Sequence, residues 1–128
     1  MRVIDSSTIV KFFSQEPGWR NLREYLYEPI TIELSIKELG NALWKKVNRG
    51  EFDEVNALEL LIEFQRIGKF LAQRKYLGKA FEMAVKYKIT IYDSLFIAAA
   101  FLEGYDLITS DVRQGSVSKD LGINTTIC

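Results

Sequence analysis

Apolar residues recur along this chain in two alternating rhythms. Short runs of aliphatic and β-branched residues predict strands, and longer stretches with an apolar residue every three or four positions predict helices. "RVID" predicts a first strand and "STIVKFFSQ" a short helix. "GWRNLREYLY" sets Trp19, Leu22 and Leu26 at spacings of three and four, which predicts a second helix face. "PITIEL" predicts a second strand after Pro29. "SIKELGNALWKKVNRG" places Ile36, Leu39, Leu43 and Val47 on one stripe, with Gly50 as its stop. "DEVNALELLIEFQRI" predicts a further helix closed by Gly68, and "KFLAQ" a weak third strand. "RKYLGKAFEMAVKYK" and "YDSLFIAAAFLEG" predict two more helices, "YDLITS" a fourth strand and "TTIC" a last one. Strands that alternate with helices from end to end predict an α/β fold, a parallel sheet covered on both faces. No repeat, low-complexity segment or linker interrupts the pattern, so a single domain over residues 1–128 is expected.

Composition narrows the chemistry. Hydrophobic residues make up 48% of the 128, enough for a core without staples. Lys+Arg and Asp+Glu balance at 17 each, so charge-driven recognition must come from local distribution. The one cysteine, Cys128, cannot form an internal disulfide, and charged Arg2 and Asp5 leave no apolar leader at the start. A soluble, cytoplasmic protein without a membrane segment is the expectation. Histidine is absent, which excludes imidazole zinc sites, His-based acid–base catalysis and Ser-His-Asp triads.

Carboxylates remain, and their places are informative. Asp5 ends the first strand, Glu38 lies in the first turn of the helix after the second, Asp93 opens the helix before the fourth, and Asp111 ends that strand. Ligands of open α/β sheets bind beyond the carboxyl ends of strands, at a switch point of the topology. Each acid has a local reading too. "SIKE" (Ser35 to Glu38) and "TIYD" (Thr90 to Asp93) have capping-box spacing, and Asp5 and Asp111 could be plain N-caps. The combination favours chemistry: acids gathered at one sheet edge repel one another, and a hard divalent cation removes that penalty. Capping and metal binding are compatible roles for one side chain.

"VIDSSTIVKFF", "ELSIKELGNALWK", "IYDSLFIAAA" and "LITSD", in this order and spacing, resemble the PIN domain, and more narrowly the VapC-type toxin ribonucleases of toxin–antitoxin pairs. The resemblance spans essentially the whole chain. It implies a three-layer α/β/α sandwich around a mostly parallel sheet and an endoribonuclease dependent on Mg²⁺ or Mn²⁺. Asp5, Glu38, Asp93 and Asp111 fall on its acidic metal positions, and Ser7, Asn41 and Thr109 on the polar positions around them. It also implies an RNA substrate, a small antitoxin protein and a homodimer. Such a cluster suits phosphodiester hydrolysis, with one metal activating water and room left open for a second.

The balanced total hides a split. Residues 51–65 carry five acids and no base, whereas residues 66–88 carry seven bases against Glu82. Lys75, Lys79 and Lys86 share one helical face there, read either as a solvated surface or as an RNA-binding stripe beside the acids. Phe12, Phe13, Trp19 and Trp44 are expected in the core or, if exposed together, as an antitoxin-binding patch. An aspartyl-phosphate phosphatase of the haloacid-dehalogenase pattern fits poorly, since position 7 is Ser where that pattern wants a second acid. A PIN-like scaffold that binds RNA or protein without cleaving is the non-enzymatic alternative.

Overall fold

The computed structural model describes residues 1–128. Five short strands, β1 (Arg2–Ile4), β2 (Ile30–Ile32), β3 (Lys69–Leu71), β4 (Asp106–Thr109) and β5 (Thr125–Ile127), form one sheet in the order β3-β2-β1-β4-β5. Every pairing is parallel. Six helices cover it: α1 (Ser6–Phe13), α2 (Leu34–Asn48), α3 (Glu54–Ile67), α4 (Leu77–Tyr87), α5 (Ile91–Glu103) and α6 (Val112–Asp120).

Parallel sheets need both faces covered, and successive strand residues supply the two faces. Val3 and Leu107 join one core with Tyr76, Met83 and Phe96, under α4, α5 and α6. Their neighbours Ile4 and Ile108 join the other with Ile9, Phe13, Leu39 and Phe64, under α1, α2 and α3. The arrangement is the three-layer α/β/α sandwich, and the sheet is parallel throughout. The three alanines of α5 have a packing reason. Ala98, Ala99 and Ala100 are fully buried, so small side chains let the helix lie close to the sheet and to α4.

Three local details go beyond the sequence pattern. Residues Trp19–Leu26 form a 3₁₀ helix, although Leu22 and Leu26 still point into the core. Helix α6 carries too little apolar periodicity to be foreseen: its inward residues are Gln114, Gly115, Val117 and Ser118. The N-terminal aromatics form no exposed patch either. Phe12 stacks edge-on against both Phe13 and Trp19, Phe13 is buried, and Trp44 alone of the four stands 58% exposed.

The strand order places the switch point between β1 and β4. The chain runs outward from β1 through β2 to β3, then returns to β4 on the other side of β1. Asp5 follows β1 and Asp111 follows β4, so both acids sit where the two halves of the sheet part.

Candidate active site

Beyond the carboxyl ends of the strands lies a groove of about 1000 Å³, walled by α1, α2 and the N-terminal turns of α5 and α6. Glu38, Asp93 and Asp111 line it, with Ser7 and Asn41 beside them. Asp5 lies beneath, fully buried. The structure thus gathers the acids that sequence singled out.

Asp5 is both a cap and a core charge. Its Oδ1 accepts the Thr8 N–H at 3.2 Å, capping α1, and the Ser7 hydroxyl at 2.6 Å. Its Oδ2 accepts the hydroxyl of Thr109. Thr109 Oγ1 in turn accepts the Asp111 N–H at 3.0 Å, and Ser7 Oγ accepts the Ser110 N–H at 2.9 Å. The loop that closes β4 is therefore laced to the start of α1. Burial pushes the Asp5 carboxyl up to about 6, with the Asp111 charge adding to it, against the lowering effect of its hydrogen bonds.

Asp111 caps α6, its Oδ1 accepting the Gln114 N–H at 3.1 Å. Asp93 opens α5, but its cap is Thr90, whose Oγ1 accepts the Asp93 N–H at 3.2 Å. Asp93 itself lines the groove. Its carboxyl is held above the ordinary range by partial burial and then by the Asp111 charge, with hydrogen bonding to Thr90 and Gln114 pulling the other way.

The capping-box reading of Glu38 is overturned. Helix α2 begins at Leu34, one residue before Ser35, and the Ser35 hydroxyl donates to Ile32 O at 2.7 Å. The Leu34 N–H is instead capped from a distance by Gln73 Oε1 at 3.0 Å. Glu38 is left facing the groove with a buried Oε1 that has no hydrogen-bond partner. Its carboxyl is raised by burial and by the Asp93 charge, while hydrogen bonding to Ser6 lowers it. The carboxyls of Asp5, Glu38 and Asp93 are each raised by burial and by a neighbouring acid. That is the electrostatic signature of an anionic pocket wanting a cation.

No three carboxylates close into a ready-made ion cage. A hard cation such as Mg²⁺ needs only one or two carboxylates and retains several waters. The orphaned Glu38 oxygen and the all-oxygen donor set fit Mg²⁺ or Mn²⁺ and do not fit zinc.

Sequence reasoning missed Gln114 and Ser6, which contact Asp93 and Glu38, and it misplaced the basic wall. The bases lining the groove are Lys11 on α1 and Lys37, Lys45, Lys46 and Arg49 on and just beyond α2. Lys75 pairs with Glu103 at 2.8 Å, at the opposite end of α5 from Asp93, roughly 15 Å along the helix axis. Lys79 pairs with Glu82 and lies over Phe101, and Lys86 lies over Tyr87. None of the three lines the groove. Four-residue spacing of Lys37, Asn41, Lys45 and Arg49 was the available signal.

The PIN domain family matches residues 2–120. The chain is 32% identical over 115 residues to ribonuclease VapC3 of Pyrobaculum aerophilum, covering 85% of this chain and 88% of that one. It is 29% identical over 109 residues to exonuclease VapC9 of the same organism, covering 85% and 79%. The crystal structure of PAE2754 from Pyrobaculum aerophilum superposes with a TM-score of 0.75 at 27% identity, over 97% of this chain and 82% of that one.

Proposed function

The chain belongs to the PIN-domain family, and on that footing we propose that it is a Mg²⁺- or Mn²⁺-dependent endoribonuclease, the toxin of a toxin–antitoxin pair. The observation that carries this reading is Glu38, with a buried and unpartnered Oε1, in the wall of a groove shared with Asp93 and with Asp111, which Thr109 ties to buried Asp5. Asp5, Glu38, Asp93 and Asp111 would hold the cation, one or two directly and the rest through its retained waters. When bound, it supplies positive charge against a phosphate and acidifies water.

The remaining roles belong to the chain. Ser7 and Thr109 fix both oxygens of Asp5, so its orientation is set before any ligand arrives. Glu38, with one oxygen unpartnered, is placed to orient an attacking water or accept its proton. Asn41 lines the groove one helical turn from Lys37 and offers an amide to the RNA backbone. The reading gives the protein a single nuclease domain over residues 1–128, a small antitoxin partner, a homodimeric state and a cytoplasmic location. Leu77, Phe81 and Val85, at 43%, 61% and 65% exposure on one face of α4, support a protein interface. No helix is long and apolar enough to cross a membrane.

Purified protein should cleave single-stranded RNA when Mg²⁺ or Mn²⁺ is added and stop when it is chelated. Binding of RNA with no cleavage under any divalent metal would return the chain to the scaffold reading.

A further inference from the structure

We propose that single-stranded RNA reaches the acids along α2, its backbone phosphates lying on Lys37, Lys45 and Arg49, and not along the base-rich 66–88 segment. The inference rests on the nuclease reading and names the substrate path of that same groove.

Lys37, Asn41 and Lys45 recur every four residues on α2, and Arg49 continues the spacing at its C-cap. All four line the groove, so they form one stripe, which winds about 120° around the helix over its length. From Lys37 to Arg49 the stripe runs about 18 Å at the helical rise. Its first base adjoins Glu38, which puts one end of the stripe at the acids.

Position separates the two stripes, since none of Lys75, Lys79 and Lys86 lines the groove, and charge state adds to it. Lys37, Lys45 and Arg49 take part in no ion pair, whereas Lys75 and Lys79 are already paired with Glu103 and Glu82. The three free cations are exposed and need shed little structure to meet a phosphate. Lys46 is held by Glu51 at 3.3 Å and is set aside. Glu16 also lines the groove as an acid outside the catalytic set. The groove of about 1000 Å³ is lined mainly by polar and charged side chains, which suits a phosphate backbone.

The test is equilibrium binding of a short labelled single-stranded RNA, with chelator present, across a salt series. Wild type is compared with a Lys37→Ala/Lys45→Ala/Arg49→Ala variant and with Lys75→Ala/Lys79→Ala. Losing three phosphate contacts should flatten the slope of log K against log salt by about 2, and weaken low-salt binding at least about tenfold. The Lys75/Lys79 variant should match wild type, and both should melt like wild type. An unchanged slope in the triple variant, or a loss confined to the Lys75/Lys79 variant, overturns the path. So does a triple variant that keeps RNA but loses affinity for polyglutamate, which would make the stripe a docking site for an acidic protein. If wild type cleaves RNA while the triple variant binds normally, the path fails and the nuclease reading stands. If wild type neither binds nor cleaves RNA, both fall.

Discussion

Thr109, at the end of β4, donates its hydroxyl to the carboxylate of Asp5, the residue that follows β1. These strands are adjacent in space and nearly the whole chain apart in sequence. The same hydroxyl accepts the Asp111 N–H, so one side chain fixes two acids across the switch point. Asp5 is thereby held by tertiary structure as well as by its place at the head of α1.

Thr109→Val keeps the shape and removes that donor. A hydrogen bond to a charged buried group contributes about 1.5–3 kcal/mol, so the variant should lose stability on that scale near neutral pH. Thr109→Ser should retain most of it. Chemical denaturation of the two variants beside wild type checks the difference.

Metal-free stability should depend on pH with a definite sign. Burial lifts Asp5 from 3.8 to about 6 in the folded chain. The folded state then holds a proton there that the unfolded state releases, so the stability that Asp5 contributes is fully present below about pH 4 and is lost as pH rises through about 6. From Asp5 alone the change is roughly 3 kcal/mol at most. Glu38 and Asp93 shift in the same direction. Asp5→Asn, which can still cap α1, should flatten the melting-temperature profile across that window.

Glu38→Gln separates repulsion from structure. Its carboxylate caps nothing, and one oxygen is buried without a partner. The metal-free variant should be as stable as wild type, or more stable by up to about 1 kcal/mol, because repulsion with Asp93 is relieved. The stabilisation that millimolar Mg²⁺ gives wild type should shrink in the variant. Thermal melts with and without Mg²⁺ read both effects.

Gly115 keeps α6 against the last strand. A Cβ there would collide with the Ile127 side chain and lie 3.4 Å from Thr109 Cγ2. Gly115→Ala should therefore cost about 1–3 kcal/mol by overpacking. Adding Ile127→Ala should recover part of it, which a double-mutant cycle of melting temperatures measures.

Much of this was legible before any coordinates. Asp5 and Asp111 could be placed from the rule for open parallel sheets, because each directly follows an apolar strand. Asp93 could be placed only with the direction of its helix, and Thr90 proved to be the cap. Glu38 was half legible: its place near the start of α2 was foreseen, but the helix begins at Leu34, so Glu38 falls beyond the first turn and caps nothing. The true cap, Gln73, lies 39 residues away, beyond the reach of local spacing. Helix α6 was hidden because Gly115 and two serines give it weak propensity, and contacts with β4 and β5 hold it. The basic wall was overlooked because a dense run of charges drew attention to residues 66–88. Arg66, Lys75 and Lys79 find acids nearby in space, whereas Lys37 and Lys45 of α2 stay free.

The most direct measurement of the central claim is cleavage of an RNA blocked at both ends by wild type and Asp93→Asn, with Mg²⁺ and with chelator. Asn leaves the Thr90 cap and the fold in place while removing one negative charge that a hard cation requires. Internal cleavage by wild type that needs Mg²⁺ and falls at least about a hundredfold in the variant, at equal or higher metal-free melting temperature, is the predicted result. Near-wild-type cleavage by Asp93→Asn, or cleavage indifferent to the chelator, would contradict it.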